Sequence, residues 1–130
     1  MFYLNGVHHI ALNCRDVMKV ARFFLEILEL PIRLDQIVEG EPIYFTVGTQ
    51  TRIGLHAAKE EGRNGIGQVD HIAFSVVTRA ELDYLVDKLE VENICYRGPI
   101  ERPTSFNLYF ATPEGHQLEV RLDKDELDDT

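Results

Sequence analysis

In VHHIALNC, residues 7–14, and again in VDHIAFSV, residues 69–76, apolar positions alternate with polar or small ones. Period two is the mark of a strand with one covered face. The first of these runs leads into RDVMKVARFFLEILELP, in which Val17, Val20, Ala21, Phe24, Ile27 and Leu28 recur at helical spacing. Asp16 stands where an N-cap belongs, and Pro31 closes the segment. The second run leads into TRAELDYLVDKLEVEN, whose stripe is Leu82, Leu85, Val86 and Leu89. Thr78 with Glu81 three residues on is a capping box.

The segments C-terminal to the two helices are parallel as well. PIRLDQIV, PIYFTVG and RIGLHAA in the first half answer to ICYRGPI, FNLYFAT and QLEVRL in the second. These are short β-branched and aromatic runs punctuated by Gly, Pro, Asn and Thr, as meandering strands are. The chain therefore reads as βαβββ written twice, with AAKEEGRNGIGQ, residues 57–68, between the copies. A repeated unit that cannot bury its own apolar face is expected to pair. The expected fold is α+β: two paired βαβββ modules forming a curled mixed-sheet cup with helices outside, all in a single domain spanning 1–130. Module one runs over about 5–57, the linker about 58–68, module two about 69–122, and the acidic tail is 123–130.

Strand parity sorts the polar residues. His9, Ala11 and Asn13 share one face of the first run, opposite His8, Ile10, Leu12 and Cys14. By the same parity His71, Ala73 and Ser75 face the cup, as do Gln117, Glu119 and Arg121 of the last run, where Leu118, Val120 and Leu122 form the core face. Two imidazoles and a carboxylate from separate strands suit an open divalent-metal site with positions left for water or substrate. The other reading is that these are hydrogen-bonded histidines of an ordinary strand.

Charge narrows the class of partner. Among 130 residues, 22 acids face 13 bases, for a net charge of -9. Such a field repels phosphate backbones and anionic lipid, so no nucleic acid and no membrane is expected, and a small molecule is. No window approaches a membrane span, and MFYLNGVHHI has no export pattern, so a cytoplasmic location is the expectation. Cys14 and Cys95 both sit in apolar strand-like runs and read as reduced packing residues.

Three stretches, HHIAL at 8–12, DHIAFSV at 70–76 and LYFATPEGHQLEVRL at 108–122, resemble the vicinal oxygen chelate superfamily. That group includes glyoxalase I, fosfomycin-resistance proteins, extradiol dioxygenases and metal-free bleomycin-binding proteins. The resemblance covers residues 5–122. It implies that His9, His71 and Glu119 hold one divalent ion (iron, manganese, nickel or zinc), Glu119 sharing in the chemistry, while the ion acts as a Lewis acid on a small oxygen-rich molecule. His116 would be structural and His8 a packing residue. The fourth ligand of glyoxalase I falls at Gly54, which has no ligating atom, and His56, two residues on, either reaches the ion or lines the cup. Fosfomycin-resistance proteins carry threonine where this chain has Ala11, and the loop that would contact a phosphonate offers Arg97, Arg102 and Ser105. The acid–base histidine of the dioxygenase pattern is lacking before Tyr109. Arg121 either binds a substrate carboxylate or phosphonate or pairs with one of the many acids; Tyr109 either bonds a substrate oxygen or fills the cup; Asn13 and Ser75 are matched polar contacts. A homodimer is expected. The function implied is that of a metalloprotein acting as a lyase, isomerase, thiol transferase or dioxygenase; the alternative is a metal-free protein that sequesters a small molecule.

Overall fold

Asp16 accepts a hydrogen bond from the backbone N–H of Lys19 at 3.1 Å and starts helix α1, Val17–Glu26. The helix stops well before Pro31, earlier than the periodicity predicts. Ile27 still bonds back to Phe23, but Glu29 takes a φ of 52°, a left-handed conformation that no α-helix can continue. The computed structural model describes residues 7–32, 37–58, 69 and 71–125. It divides into two compact units, Met1–Asn64 and Gly65–Thr130.

In the first unit, strands β1 (His9–Cys14), β2 (Ile43–Val47) and β3 (Thr51–Ala57) form a sheet in the order β1-β3-β2. β1 runs parallel to β3, and β2 is antiparallel to it. The helix buries Val20, Ala21, Phe23 and Phe24 and packs on β2 and β3, whose Phe45, Ile53 and Leu55 are buried. Of the expected strand PIRLDQIV, residues 33–36 lie outside the described residues, and its other four positions are not in a strand.

The second unit repeats this and adds a strand. β4 (Ile72–Val76), α2 (Arg79–Val91), β5 (Tyr96–Glu101), β6 (Ser105–Ala111) and β7 (Gln117–Asp123) succeed one another, with sheet order β4-β7-β6-β5. Both halves of the capping box are formed: Thr78 accepts from Glu81 N–H, and the Glu81 carboxylate accepts from Thr78 N–H. α2 buries Leu82, Leu85 and Leu89 and packs on β4 and β7. Leu118, Val120 and Leu122 are buried as the parity required.

The architecture is α+β, with two mixed sheets of three and four strands and a helix on each. One packing expectation fails. Cys14 is fully buried, but Cys95 is exposed, because it sits between α2 and β5 rather than inside a strand. Both are free thiols. No helix among the described residues is long and apolar enough to cross a membrane. Linker residues 59–68 and tail residues 126–130 lie outside the described residues.

Candidate functional site

The pairing register shows what each sheet brings together. In the second unit Ala73 of β4 lies opposite Glu119 of β7, Glu119 opposite Tyr109 of β6, and Tyr109 opposite Arg97 of β5. One row of four strands thus carries a carboxylate, a phenol and a guanidinium on the face away from α2. His71 immediately precedes β4, and its Nε2 stands 3.9 Å from Glu119 Oε1. That is beyond a hydrogen bond. Two ligands each about 2.1 Å from one ion stand roughly 3 to 3.5 Å apart, so a shift of a few tenths of an ångström would let this pair share one.

Glu119 is 7% exposed. Withdrawing a carboxylate this far from water is costly unless a cation compensates it. The imidazole is its nearest cationic candidate, and the donor set of carboxylate plus imidazole is one that borderline divalent ions favour. Arg121, two residues along β7, is already engaged: its Nε donates to Asp123 Oδ1 at 2.7 Å. That hydrogen bond, with the charge of Asp123, holds its guanidinium even more firmly protonated than usual. Of the two sequence readings for Arg121, pairing with an acid is the one observed.

Arg97 is different. Its guanidinium carbon lies 4.8 Å from the centre of the Tyr109 ring, and among the described residues no carboxylate pairs with it. The side chain is exposed, so its charge is available in the row of Glu119, with Tyr109 between them. Tyr109, half-buried beneath it, serves as the platform. Ser75 lies opposite Arg121 on the same face, and Asn107 flanks Arg121 on the other side, where its Oδ1 accepts from Ser105 Oγ at 2.7 Å. His116 is structural as expected. Its Nδ1 lies 2.6 Å from Thr112 Oγ1, and the same hydroxyl accepts from the backbone N–H groups of Glu114 and His116, closing the turn before β7.

The first unit holds the remaining expected residues. His9, Ala11 and Asn13 occupy the exposed face of β1, as parity predicted. His8 is not a packing residue. It is exposed, and its Nδ1 meets His9 Nδ1 at 2.9 Å. Gly54 pairs with Ala11 where Glu119 pairs with Ala73, and His56 pairs with Asn13 where Arg121 pairs with Ser75. The alignment of Gly54 with Glu119 and of His56 with Arg121 is therefore real in the ladders. His56 Nε2 is enclosed and has no hydrogen-bond partner among the described residues. Among the described residues no group of three His, Cys, Asp or Glu side chains is gathered.

Of two further site residues, Tyr44 escapes the sequence reading and Arg97 enters it only as a candidate phosphonate contact. Arg97 is there only one of three polar residues in a loop, and the β5–β6 register alone reveals it above Tyr109. Tyr44 is legible through the repeat. It stands opposite Gly54 as Tyr109 stands opposite Glu119, so extending the alignment by one strand finds it.

Residues 6–120 match the family described as Glyoxalase/Bleomycin resistance protein/Dioxygenase superfamily. A metallothiol transferase FosB of Staphylococcus epidermidis is 29% identical over 120 residues, covering 90% of this chain and 81% of the relative. Among solved structures, a glyoxylase/bleomycin resistance protein/dioxygenase domain from Frankia superposes with a TM-score of 0.80 at 25% identity, over 93% of each chain. A glyoxalase/dioxygenase from Nostoc punctiforme gives 0.78, also at 25% identity, over 92% of this chain and 91% of that one.

Proposed function

Because this chain belongs to the glyoxalase/bleomycin resistance protein/dioxygenase superfamily, we propose that it is a metalloprotein in which His71, Glu119 and His9 hold one divalent ion. The observation that carries this reading is the buried Glu119 carboxylate with the His71 imidazole 3.9 Å away. Iron, manganese, nickel or zinc suits such donors. When bound, the ion supplies Lewis-acid stabilisation of charge developing on a substrate oxygen. The protein's own groups do the rest. Arg97, over the ring of Tyr109, offers a cation to an acidic substrate, with the Tyr109 hydroxyl in the row of Glu119 and Ser75 in the next row, opposite Arg121. His56, with its enclosed unpaired nitrogen, is a further polar contact in the first unit. The substrate class is a small, oxygen-rich, anionic molecule.

Thiol transfer to an electrophilic carbon is the reaction to assay first, since the curated relatives are metallothiol transferases. The protein acts as a homodimer.

Elemental analysis of untagged protein tests the proposal. About one divalent ion per chain is expected, lost in His71→Ala and in Glu119→Gln. Absence of metal from the wild type, with none taken up on titration, would sink it and leave a binding protein.

A further inference from the structure

His9 is exposed on β1, yet its ring is contacted from two sides. His8 meets it through the Nδ1 to Nδ1 approach of 2.9 Å. One of these nitrogens must donate and the other accept. With His9 as donor, its Nε2 keeps a lone pair for a cation, and the bond to His8 fixes both the tautomer and the tilt of the ring. Metal-binding histidines are commonly oriented in this way through their second nitrogen.

The other contact comes from a strand that is not adjacent to β1. Tyr44 belongs to β2, and β3 lies between them. Its ring nevertheless meets His9 edge to face, with centroids 6.2 Å apart and planes at 89°. The route across β3 is open only because position 54 has no side chain. A Cβ built on Gly54 would come within 2.7 Å of Tyr44 Cε1 and 3.1 Å of its Cδ1. The same ring also meets His56, at 6.3 Å and 84°. The backbone of Gly54 itself needs no glycine, as its φ is not in the left-handed region. What it requires is the missing side chain.

The geometry points to Tyr44, seated across Gly54, as a positioning residue for His9. Gly54 thereby exchanges a fourth ligand, which a carboxylate at this position would have supplied, for the tyrosine that fixes the first. The tyrosine does this through its ring, so phenylalanine serves as well. This inference rests on the proposed metal site for its consequence but not for its geometry, and the experiment separates the two.

The first readout is the metal-free protein. The ring resonances of His9, monitored by NMR, report the Tyr44 ring current. Tyr44→Leu and Gly54→Ala are both expected to shift them, and Tyr44→Phe to leave them in place. The double variant Tyr44→Leu/Gly54→Ala should lie close to Tyr44→Leu alone, since the alanine then has no Tyr44 ring to displace and meets only His56 Nε2, at 3.3 Å. This pair also keeps the test sound if Gly54→Ala folds poorly, because the double variant relieves the clash. The second readout is manganese or nickel affinity by calorimetry. It is expected to fall about 10- to 100-fold in Tyr44→Leu and Gly54→Ala, the usual size of a lost orienting contact, and to return in Tyr44→Phe. Unmoved His9 resonances in Gly54→Ala overturn the inference. So does an effect of Gly54→Ala that persists undiminished without the ring. If the wild type binds no ion while the NMR shifts behave as expected, the positioning role stands and the metal reading falls.

Discussion

Single residues here are governed by what lies across the strand from them. Lys124 reaches back from the end of β7 and donates to Glu101 at the end of β5 at 2.8 Å. That hydrogen bond, then the charge of the same lysine, holds the Glu101 carboxyl below the usual carboxylate range. A depressed folded-state pKa contributes stability that is present above the unfolded value and lost as pH falls through the folded one. The pair is exposed, so the expected effect is on titration rather than on fold. Lys124→Met should raise the Glu101 pKa toward that of a free glutamate, read by carboxyl NMR, and the same titration curve in both proteins would dismiss the link. The site residues behave alike. His9, Asn13, Ser75, Glu119 and Arg121 take the faces parity gave them, because period two is a local property. The partnership of Arg97 with Tyr109 depends on register between two strands joined through a bulge, and no local pattern encodes that.

At the scale of elements, termini written in side chains are legible in the sequence and termini written in backbone are not. Thr78 and Glu81 announce the start of α2, and both reciprocal bonds form there. Thr78→Ala is expected to cost about 1 kcal/mol, and Thr78→Ser much less, measured as a lower urea midpoint at unchanged slope. A neutral Thr78→Ala would mean that burial of Leu82, Leu85 and Leu89 alone holds the helix. The end of α1 is the contrary case. Periodicity carries on through Ile27 and Leu28; Ile27 is buried as the C-cap, still in right-handed helical conformation and bonded back to Phe23, and the chain leaves the helix after it, at Leu28 and Glu29. Tertiary burial of an apolar side chain does not require helical backbone, so the stripe overshoots the element. Cys95 errs for a related reason: the apolar letters around it belong to a turn between α2 and β5, where Asn93 takes a φ of 56°.

Across the whole molecule, the repeat puts matched positions in the two units: Glu119 and His71 in one, Gly54 and His9 in the other. An ion that needs His9 as well as the second unit's pair must stabilise the folded protein as a whole. At a free concentration one hundred times its dissociation constant, an ion that binds only the folded state adds about 2.7 kcal/mol. For a chain of this size that is a rise in melting temperature of roughly 10 °C. With 22 acids against 13 bases, any divalent cation will also gather diffusely around the protein and give a spurious rise. Diffuse attraction is screened at a Debye length of about 3 Å in 1 M salt, whereas direct ligation is not. Scanning calorimetry in high salt should therefore retain the shift in the wild type and lose it in Glu119→Gln. His9→Ala is the deciding variant. Loss of the shift there places His9 on the ion with Glu119, whereas a full shift would confine the ion to the second unit and leave His9, with Tyr44 and His8 around it, to contact substrate instead.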